Sequence, residues 1–303
     1  MWLLISCNSS TTSKYSDTPT SGEIIILADE SYEPLIRVQI DTFMEIYKYS
    51  KINVRYLPES EVFNQLLNND TIRLAVVSRE LKEDEKQFFE RHKIIPRTLK
   101  VAEDALALIV HPENKDTLLS YENLQNILTG AVQTWAMLEK RKSTDTIIVV
   151  FDKSGSSGSR FLKDQFLGEG DFPHNVFAAK SNAEVVEYVS THKNALGILG
   201  LNWISDGDDS VAVSYINKIN VVALSSPDTI GSDREYYKPL QAYIALKKYP
   251  LIRSVYIISK EGRNGLGTGF ASFVAGDKGQ RMIRMMGLLP SNMPIRIIKI
   301  NTE

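Results

Sequence analysis

The chain has 303 residues, 43% of them apolar and 24% charged, the balance of a soluble globular protein long enough for two domains. Its 35 basic and 37 acidic side chains leave a net charge of −2, which excludes a nucleic-acid or membrane partner recruited by bulk charge. One cysteine excludes a disulfide framework and a cysteine-built zinc site, and His92, His111, His174 and His192 lack metal-ligand spacing, so no cofactor is expected. Beyond the N-terminal segment no apolar run is long enough to span a bilayer.

The chain begins MWLLISCNSS, a short apolar run, a small residue and Cys7, followed by a Ser/Thr-rich tract up to Gly22. This resembles the lipobox of bacterial lipoproteins, with Leu4, Ile5 and Ser6 ahead of the Cys7 that becomes the diacylated mature N-terminus, although the apolar run is shorter than a full signal peptide. The resemblance implies that residues 1–21 are a signal remnant and tether. It also implies a periplasmic or cell-surface protein held to a membrane through Cys7.

EIIILA (23–28) reads as a buried strand, and Pro34 opens a helix whose Ile36, Ile40, Phe43 and Tyr47 recur at helical spacing. INVRYL (52–57) alternates as a strand, residues 59–69 place Val62, Phe63, Leu66 and Leu67 on one helical stripe, and RLAVV (73–77) is a strand again. Strands alternating with helices imply a largely parallel sheet that binds ligands at the carboxyl ends of its strands. A second series follows: strand ALALIV (105–110), a helix over 121–128, strand TIIVVF (146–151), helices from about 158 and over 183–191, and strand ALGILGL (195–201). The runs 204–210 and 225–237 are loop-like. AYIAL (242–246) and VYIIS (255–259) read as strands, 269–286 as one long helix, and 295–300 as a last strand.

Three polar turns each leave a strand and open a helix: ADESYEPL (28–35), VVSREL (76–81) and FDKSGSSGSRF (151–161). In the third, a helix N-terminus would offer unpartnered N–H groups to an oxyanion, Gly155 and Gly158 would allow close approach, and Ser154, Ser156, Ser157 and Ser159 add hydroxyls. An ordinary N-capped helix behind a flexible loop would have the same composition. A phosphate-transferring loop would need a lysine where Arg160 follows Ser159, and a serine-hydrolase elbow would need a G-x-S-x-G that SGSSGS does not supply, so the chain reads as no enzyme.

The order of these turns with LSYENLQNILTGAVQTW, ALGILGLNWI, YPLIRSVYII and GLGTGFASFVAGDKGQ resembles the PstS-like phosphate-binding lipoproteins of bacterial ABC transporters, from about residue 22 to the C-terminus. The resemblance implies a type II periplasmic-binding fold of the α/β class: two α/β lobes with mixed sheets joined by two hinge crossings. Lobe 1 would comprise 22–110 and 240–303, and lobe 2 would comprise 111–239. It further implies inorganic phosphate as ligand, an ABC permease as partner and a monomer without catalysis, nucleic acid or metal.

Ligand-binding positions carried over are Asp29, Glu30, Ser31, Ser78, Arg79, Ser154, Gly155, Ser156, Ser157 and Arg160. The family's first loop, G-S-T-S-x-x-P-L, falls on Ala28–Leu35, where Asp29 and Glu30 replace two hydroxyl residues. In its third, R-x-x-G-S-G-T, Val150 or Phe151 stands at the arginine, leaving Arg79 or Arg160 to supply the charge. Other readings on the same fold are a binder or sensor of another oxyanion or small polar solute, and a surface lipoprotein without a transport role.

Overall fold

The apolar run Ile24–Ala28 forms the centre of strand β1 (Ser21–Asp29), fully buried from Ile26 to Asp29 because strands flank it on both sides. The computed structural model describes residues 17–138, 145–228 and 234–293. Pro34 lies in the first turn of α1 (Glu33–Ile46), where its missing N–H has no partner to lose, and Ile36, Ile40 and Phe43 are buried. There follow β2 (Tyr49–Leu57), α2 (Glu59–Asn68), β3 (Leu74–Val77) and α3 (Glu83–Arg91). Both β2 and β3 run parallel to β1, as the alternation predicts. Val62, Phe63 and Leu66 of α2 pack with Leu27, Val77 and Phe89, while α1 covers the main core with Ile26 and Phe43.

The chain then leaves along β4 (Arg97–Val110), a strand longer than the ALALIV segment alone. The second half contains β5 (Leu118–Leu119), α4 (Tyr121–Leu128), β6 (Ile148–Phe151), α5 (Ser157–Leu162), β7 (Val176–Ala178), α6 (Asn182–Thr191) and β8 (Ala195–Gly200). It ends with α7 (Ser210–Ile216), β9 (Asn220–Val221) and β10 (Ala223–Ser225). The return brings β11 (Tyr236–Tyr237), α8 (Gln241–Ala245), β12 (Ile252–Ser259), α9 (Leu266–Ala275), α10 (Asp277–Met285) and β13 (Leu289–Pro290).

One mixed sheet runs through both halves in the order β2-β1-β3-β12-β4-β8-β6-β7, with β9 and β13 also on β4; β11, β10 and β5 make a small second sheet. The halves meet on β4. Its residues up to Ala105 pair antiparallel with β12, and those from Leu106 onward pair antiparallel with β8. The result is two α/β lobes with mixed sheets.

Three sequence expectations need correction or fall outside the described residues. AYIAL lies in helix α8 and its C-cap, since so short an apolar run carries no period that separates strand from helix. The helix expected over 269–286 is two, α9 and α10, broken where Gly276 is extended and Gly279 packs so close that a Cβ would lie 2.4 Å from the Val274 carbonyl oxygen. The strand at 295–300, like Cys7 and its lipobox, lies outside the described residues. Among the described residues no helix is long and apolar enough to cross a membrane.

The outbound and returning chains are fastened at the point where β4 changes partners. The Leu106 N–H donates to Leu251 O at 2.9 Å, and the buried Tyr249 hydroxyl donates to Leu106 O at 2.7 Å. Replacing Tyr249 by Phe should cost about 1 kcal/mol of stability by removing this donor from a buried carbonyl. Urea unfolding checks this, with a lowered midpoint expected at unchanged slope.

Candidate functional site

The Ser/Gly loop after β6 is folded tightly into the interior. Ser156 caps α5, its side chain accepting the Ser159 N–H at 3.1 Å, and Ser156, Ser157, Gly158 and Ser159 are buried. The helix widens into a π-helical turn over Lys163–Leu167. Gly155 has φ +78°, and a Cβ there would lie 2.5 Å from Ser60 Oγ. Its carbonyl accepts the Ser60 N–H at 3.0 Å, so this tight turn joins the second lobe to the first turn of α2. The cap places Ser157-Gly158-Ser159 in the first helical turn.

Around this turn the strand ends of both lobes meet in two adjoining hydrogen-bonded sets. In the first, the Ser31 hydroxyl donates to Asp152 Oδ2 at 2.7 Å, the Ser156 hydroxyl to Asp152 Oδ1 at 2.5 Å, and the Ser157 N–H to Asp29 Oδ2 at 3.3 Å. Arg253 of β12 completes it, giving Nη1 to Ser157 Oγ at 2.7 Å and pairing with buried Asp104 of β4 at 2.8 Å. In the second, Glu59 accepts the Ser78 N–H at 2.6 Å and the Ser78 hydroxyl at 2.8 Å. Arg160 then bridges, with Nε on Glu59 at 2.6 Å and Nη2 on Ser78 Oγ at 2.6 Å. Asn202 and Trp203 donate to the Ser31 carbonyl at 2.8 and 3.0 Å.

Charge is crowded here. Asp29, Glu30, Glu59, Asp104 and Asp152 face Lys153, Arg160 and Arg253, five carboxylates against three cations. Burial drives the Asp29 carboxyl up to about 7, aided by Glu59 and Asp152 and opposed by Arg253 and the Ser157 hydrogen bond. Burial also raises Asp152 against hydrogen bonds from Ser156 and Ser31, and raises Glu30 against Lys153, which pairs with it at 2.7 Å.

Beside the buried sets lies a cavity of about 600 Å³ whose lining includes Glu59, Ser60, Arg79, Ser154, Gly155 and Arg160. Of the residues expected from sequence, Asp29, Ser31, Ser78, Ser156, Ser157 and Arg160 come together in the buried sets. Glu30 turns to Lys153 at their margin, and Ser154 is exposed at the cavity. Arg79 is engaged elsewhere, bidentate on Glu85 with its guanidinium 3.5 Å above the Phe63 ring. Glu59, Asp104, Asp152, Asn202 and Arg253 escaped the sequence reading. Glu59 and Asp152 were detectable in principle, since each follows a strand by one or two residues. Arg253 and Asp104 sit within strands, and only the β12–β4 register pairs them.

A family model described as the PBP superfamily domain matches residues 13–278, and the chain belongs to that superfamily. The phosphate-binding protein PstS of Borreliella burgdorferi is 27% identical over 258 residues, covering 80% of this chain and 83% of that protein. PstS of Pseudomonas aeruginosa strain PAO1 is 23% identical over 285 residues, covering 89% and 83%. Among solved structures, an ABC-type phosphate transport receptor from Vibrio cholerae superposes with a TM-score of 0.65 at 19% identity, covering 89% of this chain and all of that one. PstS from Borrelia burgdorferi gives 0.53 at 24% identity, covering 89% and 99%.

Asp29 lies at about 7 in the folded protein against an ordinary 3.8, so between these values the native state holds the extra proton and stability falls as pH rises. Asn at this position has no proton to lose. The stability of Asp29→Asn relative to wild type should therefore rise by about 1 kcal/mol per pH unit across that window. Urea midpoints for both proteins across the window measure it, and a difference independent of pH would place the titration on another group.

Proposed function

We propose that this chain is an extracytoplasmic solute-binding lipoprotein that captures inorganic phosphate between its lobes and delivers it to an ABC permease, tethered to the membrane through Cys7. It acts as a monomer, with lobe 1 formed by 22–110 and 240–303 and lobe 2 by 111–239. The observation that carries this reading is the meeting of Ser31 and Ser78 from one lobe with Ser156, Ser157 and Arg160 from the other in a buried cluster beside a cavity. The PstS names of the relatives point to the same ligand.

The serines act as hydrogen-bonding groups in this reading, not as nucleophiles. The Ser156 hydroxyl is spent on Asp152, and the Ser157 oxygen accepts from Arg253. Among the described residues His92, His111 and His192 bond locally at the exposed surface, so none of these three imidazoles is paired with either serine. Bonds from both lobes to one anion stabilise the closed arrangement, and that arrangement is what a permease recognises. A carboxylic acceptor beside the anion takes a hydrogen bond that protonated phosphate offers and sulfate does not.

Calorimetric titration should show tight binding of phosphate and much weaker binding of sulfate. Equal heats for both anions, or none, would sink the assignment. Ser157→Ala should weaken phosphate binding by about 1–3 kcal/mol, the worth of a buried hydrogen bond to a charged group. Wild-type affinity in that variant would move the anion away from this turn.

A further inference from the structure

The donors best placed for an oxyanion are already engaged by the chain's own carboxylates. Glu59 takes both the N–H and the hydroxyl of Ser78, together with the Arg160 guanidinium. Asp29 takes the Ser157 N–H, and Asp152 takes the Ser31 and Ser156 hydroxyls. A carboxylate and a phosphate compete for the same N–H and O–H partners, because both are planar or tetrahedral arrays of negatively charged oxygens. Glu59 is buried yet also lines the cavity, as does the Arg160 whose guanidinium it holds. At ADESYEPL the residue corresponding to the family's first hydroxyl is itself Asp29.

We propose that Asp29 and Glu59 are the specificity-determining residues of this site: they hold its anion-binding donors from within, so that phosphate must displace them, and its capture is coupled to proton uptake at Asp29. The inference rests on the phosphate reading and adds the ionic condition under which it operates. A phosphate entering an ionised site meets like charge at hydrogen-bond distance and must displace a satisfied carboxylate from its donors. Protonation removes the repulsion and turns the same oxygen into a donor. The balance is simple: Asp29 takes one proton from solvent as it yields, Glu59 gives up its donors without a proton, and no bond to phosphorus is made or broken.

The surroundings make Asp29 the first to take a proton. It faces Arg253 from β12, Glu59 from α2, Asp152 from the loop after β6, Asp104 through Arg253, and the Tyr32 phenol beside it. Glu59 faces Arg160 from α5 and, more weakly, Asp29. Arg160 is held in turn by Asp164 at 2.8 Å, so release of Glu59 leaves the guanidinium positioned at the cavity.

The experiment is calorimetry of inorganic phosphate binding to the full chain between about pH 5.5 and about pH 8.5, in buffers of different ionisation heat, with Asp29→Asn and Glu59→Gln alongside. In wild type, affinity should fall at least about tenfold across the range, and the buffer dependence should report net proton uptake. Both variants should bind more tightly than wild type at the alkaline end, by about tenfold, and Asp29→Asn should also show a flatter pH profile and less uptake. Wild-type binding that is insensitive to pH, without uptake, overturns the carboxylate coupling and leaves the phosphate reading intact. An unchanged slope and uptake in Asp29→Asn also overturns it, because the proton then belongs to phosphate or to another group. Absence of phosphate binding in all three proteins at every pH overturns both readings together.

Discussion

Everything at the junction of the lobes depends on Arg253. It is a buried guanidinium on a strand that pairs with both β3 and β4, and its charge is what allows Asp104 and Asp29 to be buried close by. An isolated carboxylate placed in such an interior is so costly that it neutralises instead. Arg253 gives both Nε and Nη2 to Asp104 Oδ2, and its spare Nη1 reaches across to the Ser157 hydroxyl of the other lobe. One cation therefore serves the strand ladder of the first lobe and the helix turn of the second. The approach is tight enough that at Gly200 even a Cβ would lie 2.8 Å from the Arg253 guanidinium.

The α/β alternation was legible because buried parallel strands and amphipathic helices leave distinct periods, as in β1 to β3 with α1 and α2 between them. The loops that carry the site were legible for a related reason: polar residues following an apolar strand must find partners at its carboxyl end. What escaped was pairing across long separations. Arg253 lies 149 residues from Asp104, and Arg160 lies 101 from Glu59, and nothing local in sequence announces either contact. Short elements failed for want of period. The helix at Gln241–Ala245 is too brief to betray its 3.6-residue repeat, and the break at Gly276 depends on packing against α9 that no window of sequence reports.

Family resemblance and physical reading diverge at one instructive place. The sequence pattern drew attention to a missing arginine ahead of the Ser/Gly turn; the cation that does lie in this loop, Lys153, is spent on Glu30. The more consequential departure is in the acceptors. Hydroxyl-bearing loops bind an anion with neutral groups, whereas Asp29, Glu59 and Asp152 bring charge that must be balanced within the protein before any solute arrives. Arg160 and Arg253 provide much of that balance, so the cluster is as much an internal ionic framework as a binding surface.

The handover on β4 bears on how such a molecule moves. A hinge made of loops bends wherever its dihedrals are soft, but here the outbound crossing is one extended strand whose first nine residues run beside β12 and whose last five run beside β8. Among the described residues no other strand bridges Ala105 and Leu106, so any twist between the two ladders is carried along this one strand, as in a torsion bar, with the Tyr249 hydroxyl anchored at the handover.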